Sequence, residues 1–309
     1  MKFKLHPGLL LAVVLTLCAG LVAGIAWFRS RAAATTGDLL IHVPNREAAV
    51  TLQVDFRALR RAGLLAMLAG TKVAEEPEYR SFVQETGFDY QRDLDLALVS
   101  FQPNATLFLL RGRFDWRKLQ SYARSRHGEC HNTFCRLEGS TRERRISFFP
   151  LRLDVMALAV SPDSWAAGNL MGRKPSEEEF PVPSHPVWLS IPGPRLRGAD
   201  SLPAGTRLFA KALDRADRVV LSLLSRDGEV QAMLEADCPS ARDASAVAAE
   251  LGTLTGVLRD MIAKEKQTPN PRDLSGVLTA GAFRTDDVRV IGRWPLPKAF
   301  LETLAGGSL

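Results

Sequence analysis

From Asp38 onward the chain alternates short β-branched runs with longer stretches in which apolar residues recur every three or four positions. The alternation in "DLLIHV" and "AVTLQVDF" predicts two strands, and "RALRRAGLLAMLAG" after them predicts a helix. A second helix is punctuated by Pro77 in its first turn and Gly87 at its end, with Tyr79, Phe82, Val83 and Thr86 on one face. "LDLALVSF" and "ATLFLLRGRF" read as strands joined by the Gln-Pro-Asn turn at 102–104. Asp115 is placed to cap the helix "WRKLQSYARSRH", which Gly128 should end. "RRISFF" and "LDVMALAV" continue as strands, and Ser161-Pro162 opens a short helix through Leu170.

Residues 173–186 break this rhythm with four prolines and three consecutive glutamates, which marks an exposed linker. Beyond it "VWLSI", "TRLFAKAL", "RVVLSLLS" and "EVQAMLEADC" read as strands, the last two joined by an Asp227-Gly228 turn. The longest soluble helix starts at Ser240 with Asp243 three residues on; Val247, Leu251, Leu254, Leu258 and Met261 form its apolar stripe. Two faint echoes link the parts. "LFLLRGRFDWRKLQS" resembles "VRVIGRWPLPKAFLE", with Gly112-Arg113-Phe114 on Gly292-Arg293-Trp294, and "VTLQVDFRAL" resembles "VWLSIPGPRL". The fold class expected is α+β: two related halves, each laying helices on a mostly antiparallel sheet. The halves are residues 38–172 and 187–309, separated by the 173–186 linker.

The N-terminus follows a different rule. Residues 9–28 hold no charge over 20 positions, which at the helical rise spans about 30 Å, the thickness of a hydrocarbon core. The run is longer than the apolar region of a cleaved leader, and Leu17 is bulky where a lipoprotein box before Cys18 would need a small residue. Residues 1–31 are therefore read as a tail and an uncleaved transmembrane anchor, and 32–37 as a linker. Lys2 and Lys4 before the span nearly balance Arg29 and Arg31 after it. The short tail and the cysteine pattern favour the tail inside, with the body extracytoplasmic on a cell (inner) membrane.

The 309 residues carry 40 Lys+Arg against 34 Asp+Glu, a formal charge of +6. The arginines are scattered and are not gathered with aromatics, so no nucleic-acid partner is expected. No Gly-x-Ser-x-Gly elbow, His-Glu-x-x-His helix, phosphate loop or dinucleotide fingerprint occurs, and no catalytic residue or cofactor is assigned. Paired acids such as Asp93 and Asp95 are expected to be solvated strand-end residues.

One cluster remains, "HGECHNTFC" at 127–135. His127 suits the end of a helix without any metal. Cys130 and Cys135 flank a loop of hairpin length and should oxidise to a disulfide outside the cytoplasm, contributing about 2 kcal/mol. The competing reading is a metal site formed by His127, Cys130, His131 and Cys135. Cys238 is left unpaired, as a small buried hydrophobe.

"TGFDYQRDLDLALVSF" and "RGRFDWRKLQSYARSRHG" resemble a loosely defined group of membrane-anchored bacterial proteins in which an N-terminal helix precedes an extracytoplasmic α+β region of unknown function. The resemblance covers most of the chain from Asp38. It implies turn or cap roles for Asp89 and Asp115, a close strand exit at Gly112, and no assigned activity. The cysteine cluster lies outside the shared pattern. The function expected is non-enzymatic: a single-pass envelope protein that binds or scaffolds, with the lipid bilayer as one partner through residues 9–28 and an envelope protein as another. A metal-binding protein and an unrecognised envelope enzyme are the alternatives.

Overall fold

The computed structural model describes residues 34–68, 76–139, 141, 143–172, 182–197, 204–226 and 229–305. The anchor at 9–28, most of the 173–186 linker and the Asp227-Gly228 turn lie outside the described residues. Among the described residues, no helix is long and apolar enough to cross a membrane.

The chain opens with α1 (Thr36–Leu40), β1 (Val50–Val54), α2 (Phe56–Arg61), α3 (Leu64–Leu68), α4 (Pro77–Thr86) and α5 (Tyr90–Asp93). The hairpin β2 (Leu94–Phe101) and β3 (Thr106–Gly112) leads into α6 (Trp116–Ser125). Next come β4 (Glu129–His131), β5 (Phe134–Leu137), β6 (Arg145–Arg152), β7 (Val155–Ser161) and a 3-10 turn at Ala166–Leu170. The second half runs β8 (Val187–Pro192), α7 (Gly193–Leu196), α8 (Ala204–Ala212), β9 (Arg218–Arg226) and β10 (Glu229–Asp237). It ends with α9 (Ala241–Lys264), α10 (Leu274–Thr279), β11 (Ala282–Asp286), β12 (Arg289–Leu296) and α11 (Lys298–Ala305).

Caps set many of these boundaries. Asp55, Asp89, Asp115, Ser240 and Asp273 each accept a backbone N–H from the first turn of the helix they precede. Pro77 stands in the first turn of α4, and Gly87 ends it at φ 71°. Gly112 must lack a side chain, because a Cβ there would stand 2.4 Å from the Asp93 carbonyl. These are the places where "RGRFD" and "GFD" were expected to turn the chain.

Three expectations are corrected. "DLLIHV" is no strand: Thr36–Leu40 is helical, and Leu39 and Leu40 are buried. "TRLFAKAL" lies largely in helix α8, since its run of Leu, Ala and Lys has little β-branching to hold a strand. The helix expected through 57–70 is broken at Ala62-Gly63, where Gly63 has φ 70°.

Among the described residues, twelve strands join one antiparallel sheet in the order β11-β12-β10-β9-β8-β1-β2-β3-β7-β6-β5-β4. The two halves meet where β1 pairs with β8, with Thr51 opposite Ser190 and Gln53 opposite Trp188. Because side chains alternate along a strand, the registers divide the sheet into two faces. One face carries Leu98, Leu109, Ala157 and Phe149 in the first half. It is covered by α1 and the 3-10 turn, whose Ala167 N–H donates to Ser147 Oγ and whose Leu170 carbonyl stands 3.0 Å from His42 Nδ1. The opposite face lies under α4 and α6 in the first half and α8, α9 and α10 in the second.

Helix α9 buries Ala244, Val247, Leu251 and Thr255, but its stripe runs past the sheet, leaving Met261 57% exposed. Gly112 closes β3 whereas Gly292 lies inside β12, so the first echo aligns strands at different places in their halves. The second echo aligns β1–α2 with β8–α7, the two strands that meet at the centre.

Candidate functional site

The helices and the sheet do not close fully on each other in the second half. Between them lies a cavity of about 430 Å³. Its floor comes from odd positions of β8 and β9 (Leu189, Ile191, Val219, Leu221) and even positions of β10 (Ala232, Leu234). Phe209 and Leu213 at the α8 end, Leu251 of α9 and Val277 of α10 form the roof. Trp294 of β12 closes one side, set edge-on to Phe283 with ring centroids 5.2 Å apart. Gly281 makes room for that indole, since a Cβ there would stand 2.6 Å from Trp294 Nε1. Ser222 touches the lining through its backbone, its hydroxyl lying on the other sheet face with Trp188, and among the described residues no lining residue is charged.

The size of this hollow is informative. Its volume falls in the range of small-molecule sites, and its carbon lining suits an apolar occupant. Such a wall offers nothing to orient a polar reaction.

A second hollow, of about 310 Å³, lies on the same face of the first half. Its walls are more aromatic: Phe82 of α4, Phe88, Phe114, Tyr122 of α6 and Phe148 of β6, with Met156 and Leu158 of β7. Phe82 meets Tyr122 edge-on at 5.1 Å, and Phe88 stacks on Phe114 at 5.2 Å.

The cysteine cluster sits beside this second hollow. Cys130 and Cys135 are cross-strand partners in β4 and β5, joined as a disulfide with Cα atoms 4.1 Å apart. Their turn is Asn132-Thr133, with Asn132 at φ 53°. Cys135 is buried opposite Phe148, so the staple backs the cavity wall. The bond consumes both thiols that a metal site would need, and His127 and His131 are exposed. His127 lies past the end of α6 in the left-handed region, φ 61°, and not in the last helical turn as expected. Among the described residues, no group of three or more His, Cys, Asp or Glu could hold a metal ion. Cys238 is buried and unbonded, and burial pushes its thiol up, away from the reactive thiolate.

The paired acids depart from the solvated reading. Asp93 is buried and receives Arg92 at 2.8 Å and Arg113 at 2.9 Å, while its Oδ2 also accepts the Asp89 N–H. Burial pushes this carboxyl up, but the hydrogen bonds from Arg92 and the Asp89 amide, with the charges of both arginines, outweigh it and hold the pKa below the ordinary value. Asp95 pairs with Arg60 at 2.8 Å. Neither cavity is legible in the sequence beyond the density of aromatics in Phe82–Phe88 and Phe114–Tyr122.

No family model matches the chain, and neither does any curated relative. Solved structures to which it is similar include crystal form I of TP0453, at 10% identity and TM-score 0.49, over 90% of this chain and 99% of that one. Crystal form III of TP0453 is similar at 10% identity and TM-score 0.48, over 87% of this chain and 97% of that one.

Proposed function

We propose that this protein is a non-enzymatic, membrane-tethered envelope protein whose second-half cavity holds an apolar chain, such as an acyl or isoprenoid tail. The observation that carries the reading is the cavity of about 430 Å³ lined by carbon, where no described lining residue carries a charge to bind or activate a polar substrate. The uncharged run at residues 9–28 would anchor the chain in the bilayer, where apolar ligands are most abundant, with the body outside the cytoplasmic membrane. The oxidised Cys130–Cys135 pair suits that compartment.

The two halves are read as copies of one unit. Supporting this, each begins with a central strand, β1 or β8, followed by helices and a hairpin, β2–β3 or β9–β10. A helix comes next, ten residues in α6 and 24 in α9, and a further hairpin then pairs back onto the first, β6–β7 or β11–β12. Each copy keeps a hollow on the same face.

The test is photo-crosslinking of the full chain in its membrane with a fatty alcohol carrying a diazirine in its tail. Label should enter peptides of β9 and β10 around Leu221 and Leu234, and Ala232→Trp should fill the cavity and abolish it without lowering the melting temperature. Labelling of those peptides that persists in Ala232→Trp, or never occurs, refutes the reading.

A further inference from the structure

The first-half hollow differs from the second in what lies beside it. Phe88 and Phe114, the stacked pair in its wall, also line a polar cleft of about 310 Å³ with Thr86, Gly87, Asp93, Arg113, Asp115 and Lys118. Apolar cavity and charged cleft therefore share one wall. Phe88 is carried by the three-residue link 87–89 between α4 and α5, where its ring lies between Phe82 and Phe114.

The charges of the cleft are unequal in their commitments. Asp93 is engaged by Arg92 and Arg113, and the Asp115 carboxylate accepts the Lys118 backbone N–H as helix cap. The Lys118 ammonium has no carboxylate partner among the described residues. It reaches over Gly87, where a Cβ would stand 3.5 Å from Nζ. Two cations of the cleft, Lys118 and Arg113, face solvent next to an aromatic hollow; Arg113 keeps one arm on Asp93, and Lys118 is the cation that the acids of the cleft leave uncommitted.

We propose that this pair of hollows is a second site, which takes a single-chain amphiphile with an anionic head: the tail lies among Phe82, Tyr122, Phe148 and Leu158, and the head on Lys118 and Arg113. The site is separate from the second-half cavity and does not depend on its occupant. An anionic head completes the cleft because charge-assisted contacts to Lys and Arg are stronger than neutral ones, and the aromatic walls give the tail area without polar competition.

The experiment uses the full chain in its membrane and tail-diazirine probes that differ only at the head: dodecyl phosphate, dodecanoate and dodecanol. Site-specific labelling of α4, α6 and β7 peptides is titrated for each. Both anionic probes should label these peptides at about tenfold lower concentration than the alcohol, and Lys118→Gln should remove that advantage while Lys118→Arg keeps it. A preference for phosphate over carboxylate would identify a phosphate-bearing lipid, and the reverse a free fatty acid. Ile146→Trp, which fills the hollow, should abolish first-half labelling by all three probes, and Ala232→Trp should leave it unchanged. Equal labelling by anionic and neutral probes, or equal loss of both in Lys118→Gln, would assign Lys118 to the C-terminal end of α4 and overturn the head-group assignment. Absence of label from all first-half peptides overturns the site.

Discussion

The two halves lay helices on the same sheet face and leave a hollow under each, yet the hollows are built from different chemistry. In the second half, aliphatic residues of β8, β9 and β10 face α8 and α10, and no charge reaches the lining among the described residues. In the first half, five aromatic rings close the space and a cleft with Arg113 and Lys118 adjoins it. The corner arginines differ as well. Asp93 is buried beneath Arg92 and Arg113, whereas Asp237 meets Arg289 at 2.8 Å with side chains 39% and 47% exposed. The lesson is that one architecture sets where a cavity can form, and the side chains around its rim decide what it can hold.

The largest expected effect comes from filling one hollow at a time. Ala232→Trp should abolish fatty-alcohol labelling in the second half and leave the first intact, and Ile146→Trp should do the reverse. If either substitution removes both, the halves are coupled and the comparison fails.

The acid corners come next. Asp93→Asn should cost about 2 kcal/mol in chemical denaturation, the scale of a hydrogen-bonded charge with little solvent, whereas Asp237→Asn should cost under about 1 kcal/mol because water screens the exposed pair. The Asp93 carboxyl is depressed in the folded state, so its contribution is present above the unfolded value, about 3.9, and is lost as pH falls through the folded one. The gap between wild type and Asp93→Asn should therefore narrow on acidification below about pH 4. A gap that stays constant down to pH 2 would remove the arginines as the cause.

Opening the staple is a comparable perturbation confined to the first half. Replacing Cys130 and Cys135 by serine should cost about 2 kcal/mol, read as a lower denaturation midpoint, with no change in second-half labelling. The smallest effect is Asp115→Ala, about 1 kcal/mol from the lost α6 cap. Because Asp115 also borders the charged cleft, that variant should raise the affinity for dodecyl phosphate slightly, and a fall would count against the charge reading of the cleft.

Much of the local structure was legible from residue order. Pro77, Gly87, Asp115 and Ser240 mark helix ends because a cap or a left-handed residue acts within one turn of itself. Cys130 and Cys135 could be paired on loop length alone, since cross-strand partners flanking a tight turn must approach. Errors came where local preference was nearly neutral. Residues 38–43 and 206–213 are short apolar runs compatible with either period, and packing against the sheet settled them as helix and turn. The burial of Asp93 leaves no local mark: Arg92 is its neighbour in sequence, but Arg113 and the sheet end that enclose it come from twenty residues away.

The sequence by itself determined the class of the fold, the capped helix ends at Pro77, Gly87, Asp115 and Ser240, and the disulfide, because each depends on periodicity or on contacts within a few residues. Only the tertiary structure decided that β1 and β8 meet, that both halves share one sheet, and that a hollow remains under each set of helices. A cavity is the volume left over when side chains from six or more separate elements are brought together, and no single segment carries a record of that remainder.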